Sequence, residues 1–195
     1  MSLEDFKDRS GNWVQQVKYK GKVFRTRLGD AYGGIINRYK VGGYIQNNKP
    51  TYVGCTNGFS SFNEFAGWAV LQVGYGCDGY ALDKDILVKG NKVYSKDTCA
   101  FVPVALNNLL LSGKRRKHKL PTGVKLIEDS NKYEAFVNIR SKRTYLGSFS
   151  DPHLAFLAYK EAKERHIKII AEEYKSGIDV RVYEALLNYE VSIDD

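Results

Sequence analysis

The sequence predicts an α+β fold in two parts: a small strand–loop–strand–helix unit in the N-terminal half, and a three-stranded antiparallel sheet packed on one helix in the C-terminal half. Three observations carry that expectation. Three runs rich in β-branched and aromatic residues follow one another between 122 and 149, with short polar turns between them. A proline-led, alanine-rich segment with helical spacing comes next. Upstream, strand-like residues 78–87 and 93–103 lead into a helical stretch at 104–111. With 195 residues, 43% of them apolar, the chain is long enough to bury a real core.

Taken in order, residues 13–29 (WVQQVKYKGKVFRTRLG) alternate apolar and polar side chains around Lys20-Gly21-Lys22 and read as a hairpin with a basic rim. Residues 32–39 form a short helical piece, and 45–54 are polar and loop-like. A helix starts at Ser61, with Phe62, Phe65, Ala66, Ala69 and Val70 on one side and Trp68 helping to bury it. Residues 78–111 then give strand, loop, short strand and helix. That is the order of a ββα metal finger, in which a magnesium ion sits between the first strand and the helix.

Charge is spread unevenly along the chain. The overall excess is +8, from 30 Lys and Arg against 22 Asp and Glu, which points to a polyanionic partner. Residues 1–113 hold 14 basic and 9 acidic side chains, whereas residues 114–149 hold 10 and 3. The steepest density is Lys114, Arg115, Arg116, Lys117, His118 and Lys119, bordered by Gly113 and Pro121. No apolar periodicity runs through it, so residues 114–121 read as an exposed linker suited to a phosphate backbone. It separates a domain at 1–113 from one at 122–175.

In that second domain, residues 122–128, 132–140 and 143–149 are the strands, with turns at Asp129-Ser130-Asn131 and Ser141-Lys142. Tyr133, Ala135, Val137 and Ile139 alternate with Glu134, Phe136, Asn138 and Arg140, so one face packs and the other faces out. Ser150-Asp151-Pro152 is a helix start, and Ala155, Ala158, Tyr159, Ala162, His166, Ile169 and Ile170 recur at helical spacing up to about Tyr174. Residues 176–195 form an acidic tail in which Val180, Tyr183, Leu186, Leu187 and Val191 make a helical stripe. That stripe can pack back on the N-terminal domain or on a second copy of the chain.

The residues Gly123-Val124, Tyr133-x-Ala135-x-Val137, Tyr145-Leu146-Gly147-x-Phe149 and Ala158-Tyr159 resemble the plant ethylene-response-factor DNA-binding domain over about 121–171. The runs LDKDIL at 82–87, GNKVYS at 90–95 and CAFVPVALNNLL at 99–110 resemble phage proteins described as HNH endonucleases, many of which also end in that module. The two motifs in this order cover nearly the whole chain. The resemblance implies a sheet whose polar face docks in the major groove of double-stranded DNA, carrying Lys125, Asn138, Arg143 and Tyr145, with Arg140 beside them. Phe136 and Asn138 stand where the plant domains commonly have Glu and Arg, so no target sequence carries over.

For the finger, the resemblance implies Asp83 as a metal ligand, Lys84 at the place of the general base, and Asn107 or Asn108 as the helix ligand. An ordinary nuclease of this group has His at the base position and Asn where Thr98 stands. Lysine is normally protonated at neutral pH and is a poor proton acceptor. Two residues apart, Asp83 and Asp85 would share a face of a regular strand and could hold one Mg²⁺ or Mn²⁺ with Asn108. Two functions follow: a nicking, homing-type endonuclease of phage origin, or a non-catalytic DNA-binding regulator or inhibitor of a host factor. The tail stripe adds a homodimer or a host protein as candidate partners.

No run reaches the roughly 18–20 apolar residues of a membrane span, and residues 1–10 lack the apolar core of a signal peptide. Cys55, Cys77 and Cys99 form neither a disulfide framework nor a four-ligand zinc pattern. The expected location is the cytoplasm of a host cell, with no membrane partner.

Overall fold

The structure is a computed structural model that describes residues 3–110 and 120–193. Helices and several small sheets are mixed along the chain. The chain divides into two compact units: one is built from residues up to Asn107 with Gly177–Val182, the other from Asn108–Ser176 with the residues from Tyr183 on.

In the first unit, strands β1 (Gln16–Tyr19) and β2 (Lys22–Arg25) form an antiparallel hairpin. Its turn residues Lys20 and Gly21 both have positive φ, the two-residue geometry that matches strand twist. Helix α1 (Arg27–Tyr39) follows at once and is longer than the piece at 32–39 that the sequence suggests. Thr26 explains the early start. Its Oγ1 donates to Val14 O at 2.8 Å and accepts from Gly29 N–H at 3.0 Å, capping the helix while pinning it to the chain before the hairpin. Gly29, Gly33 and Gly34 weaken the helical signal in the sequence. The region expected to be loop-like at 45–54 contains α2 (Tyr44–Asn48) and a 3-10 turn, Pro50–Tyr52.

After β3 (Thr56–Asn57) comes α3 (Phe62–Ala69), placed as expected, with Ser61 Oγ accepting from Glu64 N–H at 3.1 Å. Its buried face, Phe65, Ala66 and Ala69, joins Leu28, Ile35, Phe59, Tyr94, Cys99 and Phe101 in one core. Phe65 sits with Phe59 edge-on at 5.2 Å between ring centres, so much of this half's aromatic content is spent on packing.

Strand β4 (Tyr80–Asp83) is shorter than the expected run at 78–87. Strand β5 (Val93–Tyr94) leaves the finger to pair in parallel with β3. Strand β6 (Ala100–Pro103) pairs antiparallel with β4, Tyr80 opposite Pro103 and Asp83 opposite Ala100, and runs directly into α4 (Val104–Leu110).

The second unit contains β7 (Val124–Ile127), β8 (Lys132–Ile139) and β9 (Lys142–Phe149) in one antiparallel sheet, order β7-β8-β9. The second turn falls on Arg140 and Ser141, one residue earlier than expected, and both have positive φ. Helix α5 (Pro152–Tyr174) packs on all three strands. Asp151 Oδ1 caps it, accepting from His153 N–H at 2.7 Å and Leu154 N–H at 3.1 Å. Its buried stripe is Ala155, Phe156, His166, Ile167 and Ala171, whereas Ile169, expected on that stripe, is half exposed. At Gly123 (φ +82°) a Cβ would fall 2.3 Å from the Tyr159 ring, so glycine lets the sheet edge close on the helix.

Helix α6 (Val180–Leu187) lies in the acidic tail. Val182, Leu186 and Val191 are buried within the chain itself, while Val180 is 64% exposed. Lys160 Nζ donates to Val191 O at 2.9 Å, and Glu164 accepts from Val191 N–H at 2.8 Å. Among the described residues, no helix is long and apolar enough to cross a membrane.

Candidate functional site

Two places hold the residues singled out by the sequence: the loop after β4 and the outer face of the three-stranded sheet. In the loop, Asp83 is the last residue of β4, and its Oδ1 accepts the amide hydrogens of Asp85 and Ile86, each at 2.7 Å. Such a side-chain-to-backbone turn ends the strand. Asp85 therefore does not continue a regular strand face with Asp83. Burial pushes the Asp83 carboxyl above the usual range, against the opposing pull of those two amides.

Lys84 is only 4% exposed. Its Nζ donates to Asp85 Oδ1 at 2.5 Å and to Asn91 O at 2.6 Å, and lies 6.0 Å from the centre of the Tyr94 ring. Asn91 completes the knot, its amide donating to Lys84 O at 2.8 Å and Val93 O at 2.7 Å. Lysine at this place thus acts as a donor that ties the loop together. A general base would need a lone pair free to take a proton from water.

Thr98 also has a local task, its hydroxyl donating to Val93 O at 2.6 Å. Cys99 is fully buried, and burial pushes its thiol up to about 12, leaving it a packed hydrophobe. Cys55 and Cys77 are free thiols, buried and exposed respectively.

The donors as placed fit a shared Mg²⁺ or Mn²⁺ poorly. One oxygen of Asp83 is occupied by two amides, and a divalent ion at Asp85 would lie beside the Lys84 ammonium. Asn107 and Asn108 lie in α4, which follows directly on the strand paired with β4. Among the described residues, no three His, Cys, Asp or Glu side chains cluster as a metal site.

On the sheet, pairing decides which side chains share a face. Asn138 lies opposite Arg143, Phe136 opposite Tyr145, and Glu134 opposite both Lys125 and Ser148. A β-bulge after Ala135 makes this possible. It leaves Leu146 as the extra residue, so that Tyr145 and Ser148, three apart, both point outward. Lys125, Asn138, Arg143 and Tyr145 are therefore brought onto one exposed face, with Ala135 and Val137 buried on the other.

Phe136, to which the sequence alone assigns no role, joins them on this face. The Arg143 guanidinium stacks 3.8 Å from the Phe136 ring centre, and the Tyr145 ring lies 5.5 Å from it. Stacking holds the guanidinium plane in place, and such an arginine keeps its N–H edge for a partner. Strict alternation from Glu134 to Asn138 was the signal that places Phe136 here. Arg140 behaves differently: it sits in the turn and pairs with Glu173 of α5. Lys114, Arg115, Arg116, Lys117 and Lys119 lie outside the described residues.

Compared with family models, with curated proteins and with solved structures, the chain finds no match.

Proposed function

We propose that the protein binds double-stranded DNA through the outer face of β7, β8 and β9. The observation that supports this reading is the stacked row Arg143, Phe136 and Tyr145, flanked by exposed Asn138 and Lys125. A two- or three-stranded ribbon fits the major groove, where Arg can pair with guanine, Asn with adenine, and Lys with phosphate. The basic run at 114–119 would add phosphate contacts that carry no sequence information. In this reading the first unit is a degenerate finger, the chain is of phage type, and it works on DNA in the cytoplasm of its host as a regulator or as an inhibitor of a host factor.

A labelled 30-base-pair duplex titrated with the full chain tests this by anisotropy. Arg143→Ala with Asn138→Ala should weaken binding about tenfold or more and relax preference among duplexes. Unchanged affinity in that variant would end the reading.

One observation favours a second reading, a Mg²⁺- or Mn²⁺-dependent nicking endonuclease: Asp83 ends a strand whose antiparallel partner leads straight into α4. A supercoiled-plasmid assay separates the two. Nicking by the wild type that is lost in Asp83→Ala would favour hydrolysis, and no nicking by either would favour the binding protein.

A further inference from the structure

The hairpin β1–β2 is no part of the finger, yet with Lys18, Lys20, Lys22 and Arg25 it carries most of the net charge of residues 1–113. Residues 1–113 carry 14 basic and 9 acidic side chains, and five of the basic ones but none of the acidic ones fall within residues 13–29. The remainder of that stretch is balanced at nine of each. The excess is therefore not a diffuse property of the unit.

The hairpin's geometry presents that charge outward. Lys18, Lys20 and Lys22 are exposed, and none has an ion-pair partner among the described residues. At the tip, Tyr19 is 61% exposed and Lys20 Nζ lies 5.3 Å from its ring centre. Val17 and Phe24, paired across the strands, are half-buried at the base. There the buried Thr26 fixes the hairpin to α1, and the Arg25 guanidinium lies against Gly33. A ribbon anchored at its base, with three exposed lysines and an aromatic ring toward its tip, is pre-organised for a polyanion.

We propose that the β1–β2 hairpin is a separate DNA-binding element, with Lys18, Lys20 and Lys22 contacting phosphates of duplex DNA and Tyr19 packing on the sugar–phosphate edge. Duplex DNA suits the hairpin better than an anionic membrane surface. Its exposed apolar groups are Tyr19 and Val23, too few to enter a bilayer, whereas a twisted two-stranded ribbon matches a DNA groove. The sheet lies in the other unit, so either element can fail without the other.

The test uses the full chain and a labelled 30-base-pair duplex, with affinity read across a range of salt. Three substitutions together, Lys18→Gln, Lys20→Gln and Lys22→Gln, should reduce the slope of log affinity against log salt by about 2–3 and weaken binding about tenfold or more at low salt, equally for all sequences. Tyr19→Ala should weaken binding with little change in slope. Because the four side chains are exposed, circular dichroism and the melting temperature should stay at wild-type values. A wild-type slope in the triple variant would overturn this assignment while leaving the sheet reading intact. Loss in the triple variant but not in Arg143→Ala with Asn138→Ala would uphold the hairpin and sink the sheet. Vesicles of phosphatidylserine and phosphatidylcholine provide the control: wild-type binding to vesicles but not to duplex, abolished in the triple variant, would assign the hairpin to a membrane surface and overturn the proposal.

Discussion

The outer sheet face and the loop after β4 both gather charged and polar side chains, but they use them in opposite ways. In the loop, Lys84, Asp85, Asn91 and the Oδ1 of Asp83 are bonded to one another or to nearby backbone. On the sheet, Lys125, Asn138 and Arg143 stand exposed, and the Phe136 ring beneath Arg143 orients it. Polar groups satisfied internally stabilise a fold, and those held in place but left exposed are available to a partner. Substitutions in the loop should therefore cost stability, and those on the sheet should cost affinity.

The largest effect is expected at Lys84. Lys84→Met removes a buried ammonium and leaves Asp85 and Asn91 O without their donor, which should lower unfolding free energy by about 2–3 kcal/mol in urea denaturation. DNA affinity below the transition should be unchanged. Were Lys84 a catalytic base instead, the same variant would lose activity with stability nearly intact.

Next comes Phe136→Ala. It removes the platform under Arg143 and should weaken duplex binding by about 1–2 kcal/mol, with a change in stability below about 1 kcal/mol. A variant that unfolds easily but binds normally once folded would place Phe136 with the loop residues rather than with the interface.

Ser61→Ala, outside both groups of residues, should cost about 1 kcal/mol of stability through the lost cap of α3, and nothing in affinity.

The smallest expected effect is at His166, 5% exposed, with neither ring nitrogen hydrogen-bonded among the described residues. Burial, then the positive charges of Lys163 and Arg140, hold its pKa below the usual range, with Glu173 opposing. A depressed pKa means the unfolded chain takes up the proton first. The stability it contributes is thus full above about pH 6.5 and falls as pH drops below that toward the folded value. His166→Phe should lose less melting temperature than the wild type between pH 7.5 and pH 5.

Much of the sheet was legible because its signals are local. Alternation in residues 132–140 and the Asp151-Pro152 start set β8 and α5 close to where they fall. The turn at Arg140-Ser141 was displaced by one residue because neither residue type advertises positive φ, and the bulge at Leu146 is marked in the sequence by nothing stronger than the lone strand glycine Gly147. The loop after β4 was less legible. Two-residue spacing suggested a strand face shared by Asp83 and Asp85, but the Asp83 side chain captures the next amides and bends the chain instead. Burial of Lys84 depends on Asn91 and on the Tyr94 ring, and Tyr94 is placed by the non-local β3–β5 pair. Burial of that kind is a tertiary outcome that spacing does not encode.

The most direct test of the sheet as the DNA-binding surface is a map of amide chemical-shift changes in the ¹⁵N-labelled chain as unlabelled duplex is added. Changes should cluster at Lys125, Phe136, Asn138, Arg143 and Tyr145, with a second group in the β1–β2 hairpin. Changes confined to residues 83–94 or to the exposed side of α5, with the outer face of β8 and β9 silent, would contradict it.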